Sequence, residues 1–100
     1  MTQVHIRMET PTDGHVSIKG HAGNDLICAA ISTLTGATLN ALGDAAGNVV
    51  YESGNVEFDV HFTDSLQMGA FNVLVEAFEM LSESFSQGVG VTLEMSPRVE

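Results

Sequence analysis

Between Gly54 and Thr63 the chain alternates without a break: Val56, Phe58, Val60 and Phe62 are apolar, while Glu57, Asp59 and His61 are polar. A period of two puts each set on its own face of a β-strand, so this segment belongs to a sheet with one covered and one wet face. Gly54-Asn55 just ahead is a tight-turn signal, and Val49 to Tyr51 begins the strand that leads into it. The same alternation recurs over residues 3 to 9 (Val4, Ile6, Met8) and 15 to 20 (Val16, Ile18), joined by the Pro11 to Gly14 turn, and finally over Val89, Val91, Leu93 and Met95 up to Pro97.

Two stretches break that rhythm. From Asp25 the apolar residues Ile27, Ile31, Leu34 and Leu42 recur at helical spacing, with Asn24 or Asp25 available as cap and Gly43 or Gly47 as stop. After Thr63 or Asp64, the residues Phe71, Leu74, Phe78, Leu81 and Phe85 form a second helical stripe that ends by Gly88 and is expected to lie in the core. The predicted order is strand, strand, helix, strand, strand, helix, strand. That order fits an α+β, two-layer fold, a mixed β-sheet covered by two helices (ββαββαβ). Each helix has one apolar stripe, so the other sheet face stays open to solvent or is covered by a second copy in a homodimer.

At 100 residues the chain makes one domain, 1-100, and its 44% hydrophobic and 16% charged residues describe a soluble globular protein interrupted too often by polar residues to span a membrane. Thirteen acidic residues against three basic ones (Arg7, Lys19, Arg98) give a formal charge of -10, which repels nucleic acid and anionic membranes and favours a basic partner. The N-terminus lacks a basic stretch leading into an apolar run, so a cytoplasmic location is expected. The single cysteine has no partner for an internal disulfide and stays available as a thiol in a reducing compartment.

That cysteine, Cys28, falls in the first turn of the first helix, where unpaired N–H groups and the helix dipole favour negative charge. His21 ends the preceding strand, with the six residues Ala22 to Ile27 between it and Cys28. A helix N-terminus and a neighbouring imidazolium are the two common devices for stabilising a thiolate. In a Cys-His pair, His21 would take the thiol proton and later return one to a leaving amine, while N–H groups near Cys28 would bind the developing oxyanion. On composition alone, a lone cysteine at an apolar helix start is more often a buried small hydrophobe, and Asp25 more often an N-cap than a group orienting His21. A metal site drawn from His5, His15, His21, His61 and Cys28 finds no support, since no two of these have helix-type ligand spacing.

The segments Gly20-His21-Ala22 and Asp25-Leu26-Ile27-Cys28-Ala29-Ala30, continuing through Ser32 and Asn40-Ala41-Leu42, resemble the ribosomal-processing cysteine protease family. The resemblance runs over nearly the whole chain, although only residues 20 to 42 carry specific motifs. It implies an endopeptidase that removes a short N-terminal extension from large-subunit ribosomal protein twenty-seven, with His21 and Cys28 as catalytic pair. It also implies a homodimer. No cofactor or metal is expected, and Gly20, Ala22 and Asp25 are candidates for substrate binding or orientation. Many family members carry a longer, glycine-containing loop between the histidine and the cysteine than the Ala22 to Ile27 segment found here. The competing reading is a non-catalytic acidic module that holds a basic ribosomal or assembly partner and does not need the Cys28 thiol.

Overall fold

The computed structural model describes residues 1–95. In chain order it contains β1 (Thr2–Met8), β2 (Asp13–Lys19), α1 (Asp25–Leu42), β3 (Ala46–Glu52), β4 (Asn55–His61), α2 (Ser65–Ser84) and β5 (Val89–Met95), with a 3-10 turn at Gly43–Ala45. The strands form one sheet in the order β3-β4-β2-β1-β5, antiparallel throughout except that β1 and β5 run parallel. The fold is therefore the two-layer α+β arrangement that the alternation and the two helical stripes predict.

One face of the sheet carries Val4, Ile6, Met8, Val16, Ile18, Phe58 and Val60, and these merge with Ile27, Ile31 and Leu42 of α1 and Phe71, Leu74 and Phe78 of α2 into a single core. Both helices thus lie on the same side. α1 has the length and mean hydropathy, 1.5 over Asp25–Ala45, of a membrane span, which tempers the expectation that polar residues interrupt every apolar run. Here it serves as a core helix: its stripe of Ile27, Ile31, Thr35, Thr38 and Leu42 is buried. The Thr35 hydroxyl reaches the core at no hydrogen-bonding cost because it donates to the Ile31 carbonyl one turn back, at 2.7 Å.

Several boundaries differ from the sequence reading for identifiable reasons. β3 begins at Ala46, ahead of the apolar Val49, because Ala46 and Gly47 already pair with Val60 and Asp59 before the register shifts at a bulge between Gly47 and Val50. Asn48 sits in that bulge with φ +50, a conformation asparagine tolerates. The tight turn is Ser53-Gly54, since Asn55 is already paired with Glu52 and Lys19. α2 stops at Ser84, short of Gly88, and Phe85 at its C-cap has φ -135, out of helical phase. Phe85 is consequently 46% exposed instead of lying in the core with Phe78. The expected end of β5 at Pro97 lies outside the described residues.

The opposite face of the sheet is polar and paired. His15 sits between Asp59 (2.7 Å) and Glu57 (3.3 Å), Lys19 donates to Glu57 (2.8 Å), and Asn48 donates to Asp59 (2.8 Å). His5 meets Glu94 at 3.1 Å, and His61 meets Asp13. Hydrogen bonds from Lys19 hold the Glu57 carboxyl below its usual range, as those from Asn48 and then His15 do for Asp59. The His61 ring, helped by the Thr12 and Thr10 hydroxyls, lowers Asp13 from 3.8 to about 2.

Two outcomes follow from this division. Phe78 is fully buried at the helix–sheet junction, so Phe78→Ala should cost roughly 3–5 kcal/mol in urea unfolding, the range for deleting a buried aromatic ring. A carboxyl with a depressed folded value contributes stability that is complete above its unfolded value and lost as pH falls through the folded one. Asp13→Asn should therefore lower the melting temperature slightly near neutrality, where the contribution is complete, and flatten its further fall between pH 3.8 and about 2.

Candidate active site

The joint between β2 and α1 is built by glycines and one cap. Gly20, with φ +97, ends β2 so close to the N-terminal strand that a Cβ there would lie 2.4 Å from the Met1 carbonyl oxygen. Its N–H donates to the Gly54 carbonyl (3.0 Å), extending the β2–β4 ladder into the β3–β4 turn. The His21 ring then lies directly over Gly54: a Cβ on that residue would meet Nε2 at 2.7 Å and Cε1 at 3.0 Å. Gly54 itself has φ +74, so the position demands glycine twice over, for its backbone and for the space it leaves the imidazole.

Asn24, not Asp25, caps α1. Its side-chain oxygen accepts from the N–H groups of Leu26 (2.9 Å) and Ile27 (3.2 Å), and its carbonyl accepts from the N–H of Cys28 (2.9 Å). Cys28 is thus one residue past the capped turn, partly buried, and its own N–H is already committed. The expectation of unpaired N–H groups beside the sulfur is corrected on this point, because the cap satisfies those nearest to it.

His21 and Cys28 line the same cavity, a cleft of about 220 Å³ between α1 and the β2–β4–β3 end of the sheet. Its floor comes from Ile18, Ile31, Thr35 and Val56, and its rim from Ser32, Tyr51, Glu52 and the Ser53-Gly54-Asn55 turn. The Tyr51 hydroxyl donates to the Ser32 carbonyl at 3.2 Å, which ties the end of β3 to α1 across the cleft. Asn55 Oδ1 is buried here without a hydrogen-bond partner. No hydrogen bond joins His21 to Cys28 among the described residues, so the imidazole and the thiol share a cleft without being in direct contact through one.

Of the residues singled out from sequence, Gly20, His21 and Cys28 come together at this cleft, and Ala22 and Asp25 do not. Ala22 instead lines a hollow with Ile27, Phe85 and Gly88, and Asp25 is the exposed first residue of α1. The sequence reading missed Tyr51, Glu52 and Asn55 as parts of a site, since Gly54-Asn55 registered only as a turn and Tyr51 only as a strand residue. His5, His15 and His61 lie on the opposite sheet face, remote from Cys28, and among the described residues no three His, Cys, Asp or Glu side chains gather as a metal would need.

The cleft pairs a thiol with an imidazole, the two groups a cysteine peptidase needs, and the sequence model of the family described as cysteine protease Prp matches residues 1–90. The chain belongs to that family. No curated protein matches its sequence. Among solved structures it resembles the ribosomal processing protease Prp of Staphylococcus aureus with a covalently linked product peptide, at 18% identity and a TM-score of 0.72, covering 94% of this chain and 100% of that one. The same Staphylococcus aureus protease with a substrate peptide gives 15% identity and a TM-score of 0.74, again over 94% and 100% of the two chains. A Streptococcus mutans protein gives 22% identity and a TM-score of 0.78 over 96% of each chain. These likenesses establish a shared fold, and the Prp family membership makes the chain a cysteine protease.

Gly54→Ala tests the packing of this joint. It should displace the His21 ring and lower stability by about 1 kcal/mol or more, the cost of a side chain at positive φ. Chemical denaturation, together with a shift of the His21 imidazole signals in NMR, would show both effects.

Proposed function

We propose that this Prp-family protease uses Cys28 as nucleophile and His21 as its general base to cut a basic ribosomal protein precursor. The observation that supports the assignment is the shared cleft: of all the histidines, only His21 lines the cavity that also contains the single cysteine. His21 takes the Cys28 proton, and the sulfur adds to the scissile carbonyl carbon. The protonated imidazole then gives its proton to the departing amine, leaving a thioester. Water, deprotonated by the same imidazole, releases the acid and restores the thiol.

The substrate we infer is large-subunit ribosomal protein twenty-seven carrying an N-terminal extension. Its basic character complements a chain of formal charge -10, and such complementarity speeds encounter. The Staphylococcus aureus structural neighbour is a ribosomal processing protease seen with substrate and product peptides, which supports a peptide substrate. Ribosome assembly is cytoplasmic, so this reading places the protein there. A homodimer is also part of the reading, supported by the exposed apolar stripe Leu66, Val73 and Met80 along α2.

Incubated with the extended precursor, the wild-type protein should release one discrete shortened product. Cys28→Ala should abolish the product, and His21→Ala should slow its formation at least about 100-fold, the low end of what a positioned general base contributes. Cleavage by Cys28→Ala at the wild-type rate would overturn the assignment. Tight precursor binding without cleavage by any form would instead favour the acidic binding module.

A further inference from the structure

The catalytic cleft contains one group that the peptidase chemistry above does not use. Its floor of Ile18, Ile31, Thr35 and Val56 is uncharged, and Glu52 on the rim is the one carboxylate among the described residues that line it. The side-chain cations of the described residues are held elsewhere: Arg7 pairs with Glu9 at 3.4 Å and Lys19 with Glu57 at 2.8 Å. Lys19, Asn55 and Glu52 stand side by side across β2, β4 and β3, yet the Lys19 ammonium bonds to Glu57. Glu52 takes part in none of the ion pairs formed among the described residues. It brings an unneutralised negative charge to the mouth of a cavity with an uncharged floor, where a charge is felt more strongly than on an open surface.

The position of Glu52 also fixes which part of a peptide it meets. Glu52 and Asn55 flank the Ser53-Gly54 turn, and Gly54 is the residue over which the His21 ring lies. In acyl transfer the imidazole must reach the nitrogen of the leaving segment, to which it gives its proton. The nucleophile stands on the other wall, near the start of α1. The carboxylate is therefore on the imidazole side of the cleft, beside the residues that follow the scissile bond and away from the acyl part held by Cys28.

We propose that Glu52 is a specificity-determining residue that pairs with a lysine or arginine side chain just C-terminal to the scissile bond. This deepens the peptidase reading above and rests on it for the reaction. The formal charge of -10 attracts a basic chain wherever its positive residues lie. A single carboxylate at the cleft instead ranks peptides by the position of one cation, and so favours one bond among many in a basic protein.

The test uses the full wild-type chain and synthetic peptides spanning the processing junction of the precursor of ribosomal protein twenty-seven, with every charged side chain near the cut replaced by glutamine. One lysine is then restored at each of the nearest positions before and after the scissile bond, and kcat/KM is measured for each peptide. Lysine at a position after the bond should raise kcat/KM about fivefold over the neutral peptide, the upper range for a partly exposed ion pair, and lysine before it should change little. Glu52→Gln should abolish that preference. Glu52→Lys should invert it, so that glutamate at the same position outperforms lysine, an inversion that a structural role for Glu52 does not produce. Glu76→Gln, at an exposed position of α2 outside the cleft, removes the same charge and should keep the wild-type preference. The proposal is overturned if lysine acts most strongly before the bond, if the preference survives Glu52→Gln, or if Glu76→Gln weakens it equally and so assigns it to the overall charge. The same peptides are bound to Cys28→Ala and followed by fluorescence anisotropy. A lysine preference in binding that depends on Glu52, with no cleavage by the wild-type protein, would leave the cation subsite standing and remove the peptidase reading. Cleavage without the preference would do the reverse.

Discussion

Two glycines facing each other across the β2–β4 ladder decide where the imidazole can lie. Gly20 lets β2 end against the N-terminal strand, and Gly54 leaves the hollow that the His21 ring fills. A methyl group on either would collide, with a carbonyl in the first case and with the ring in the second. The cleft, its rim and the approach to Cys28 all inherit their positions from this contact. The Asn24 cap then fixes the start of α1, so the sulfur is set by the helix and the imidazole by the sheet.

The two faces of the sheet are held by different forces. The helix side is apolar from Val4 to Phe78 and is stabilised by removing that surface from water. The far side holds most of the histidines among carboxylates, with His15 bridging Asp59 and Glu57 and His61 against Asp13. Those pairs are solvent-exposed and individually weak, but they let many acidic groups share a small surface. The cleft that holds His21 and Cys28 sits where neither regime is complete, at the end of the sheet where apolar floor meets polar rim.

Much of this was legible from sequence because period and chemistry agreed. The strict alternation of Val56 to Phe62 and the stripes through Ile31 and Phe78 each admit one kind of element, and the structure forms it. His21 and Cys28 were legible as a pair because a strand end and the next helix start must be neighbours. What stayed hidden depended on contacts distant in sequence. Tyr51 reads as an ordinary strand residue until its hydroxyl is seen reaching Ser32 on α1. The choice of Asn24 over Asp25 as cap turns on backbone dihedrals that spacing does not encode, and it reverses the expectation of free N–H groups beside the sulfur. Phe85 follows the stripe of α2 in sequence and leaves it in space because the helix ends one residue too soon.

The parallel pairing of the first and last strands sets the order in which the protein can mature. β1 occupies an interior place in the sheet, and its outer side is unpaired until Val89–Met95 arrives beside it. During synthesis that strand emerges after both helices. Contacts of such long sequence separation close slowly, so the newborn chain passes through a stage with β1 open along one side. The sheet that carries the cleft is therefore closed along β1 only after both helices have been made, and the chain must hold its core together until then.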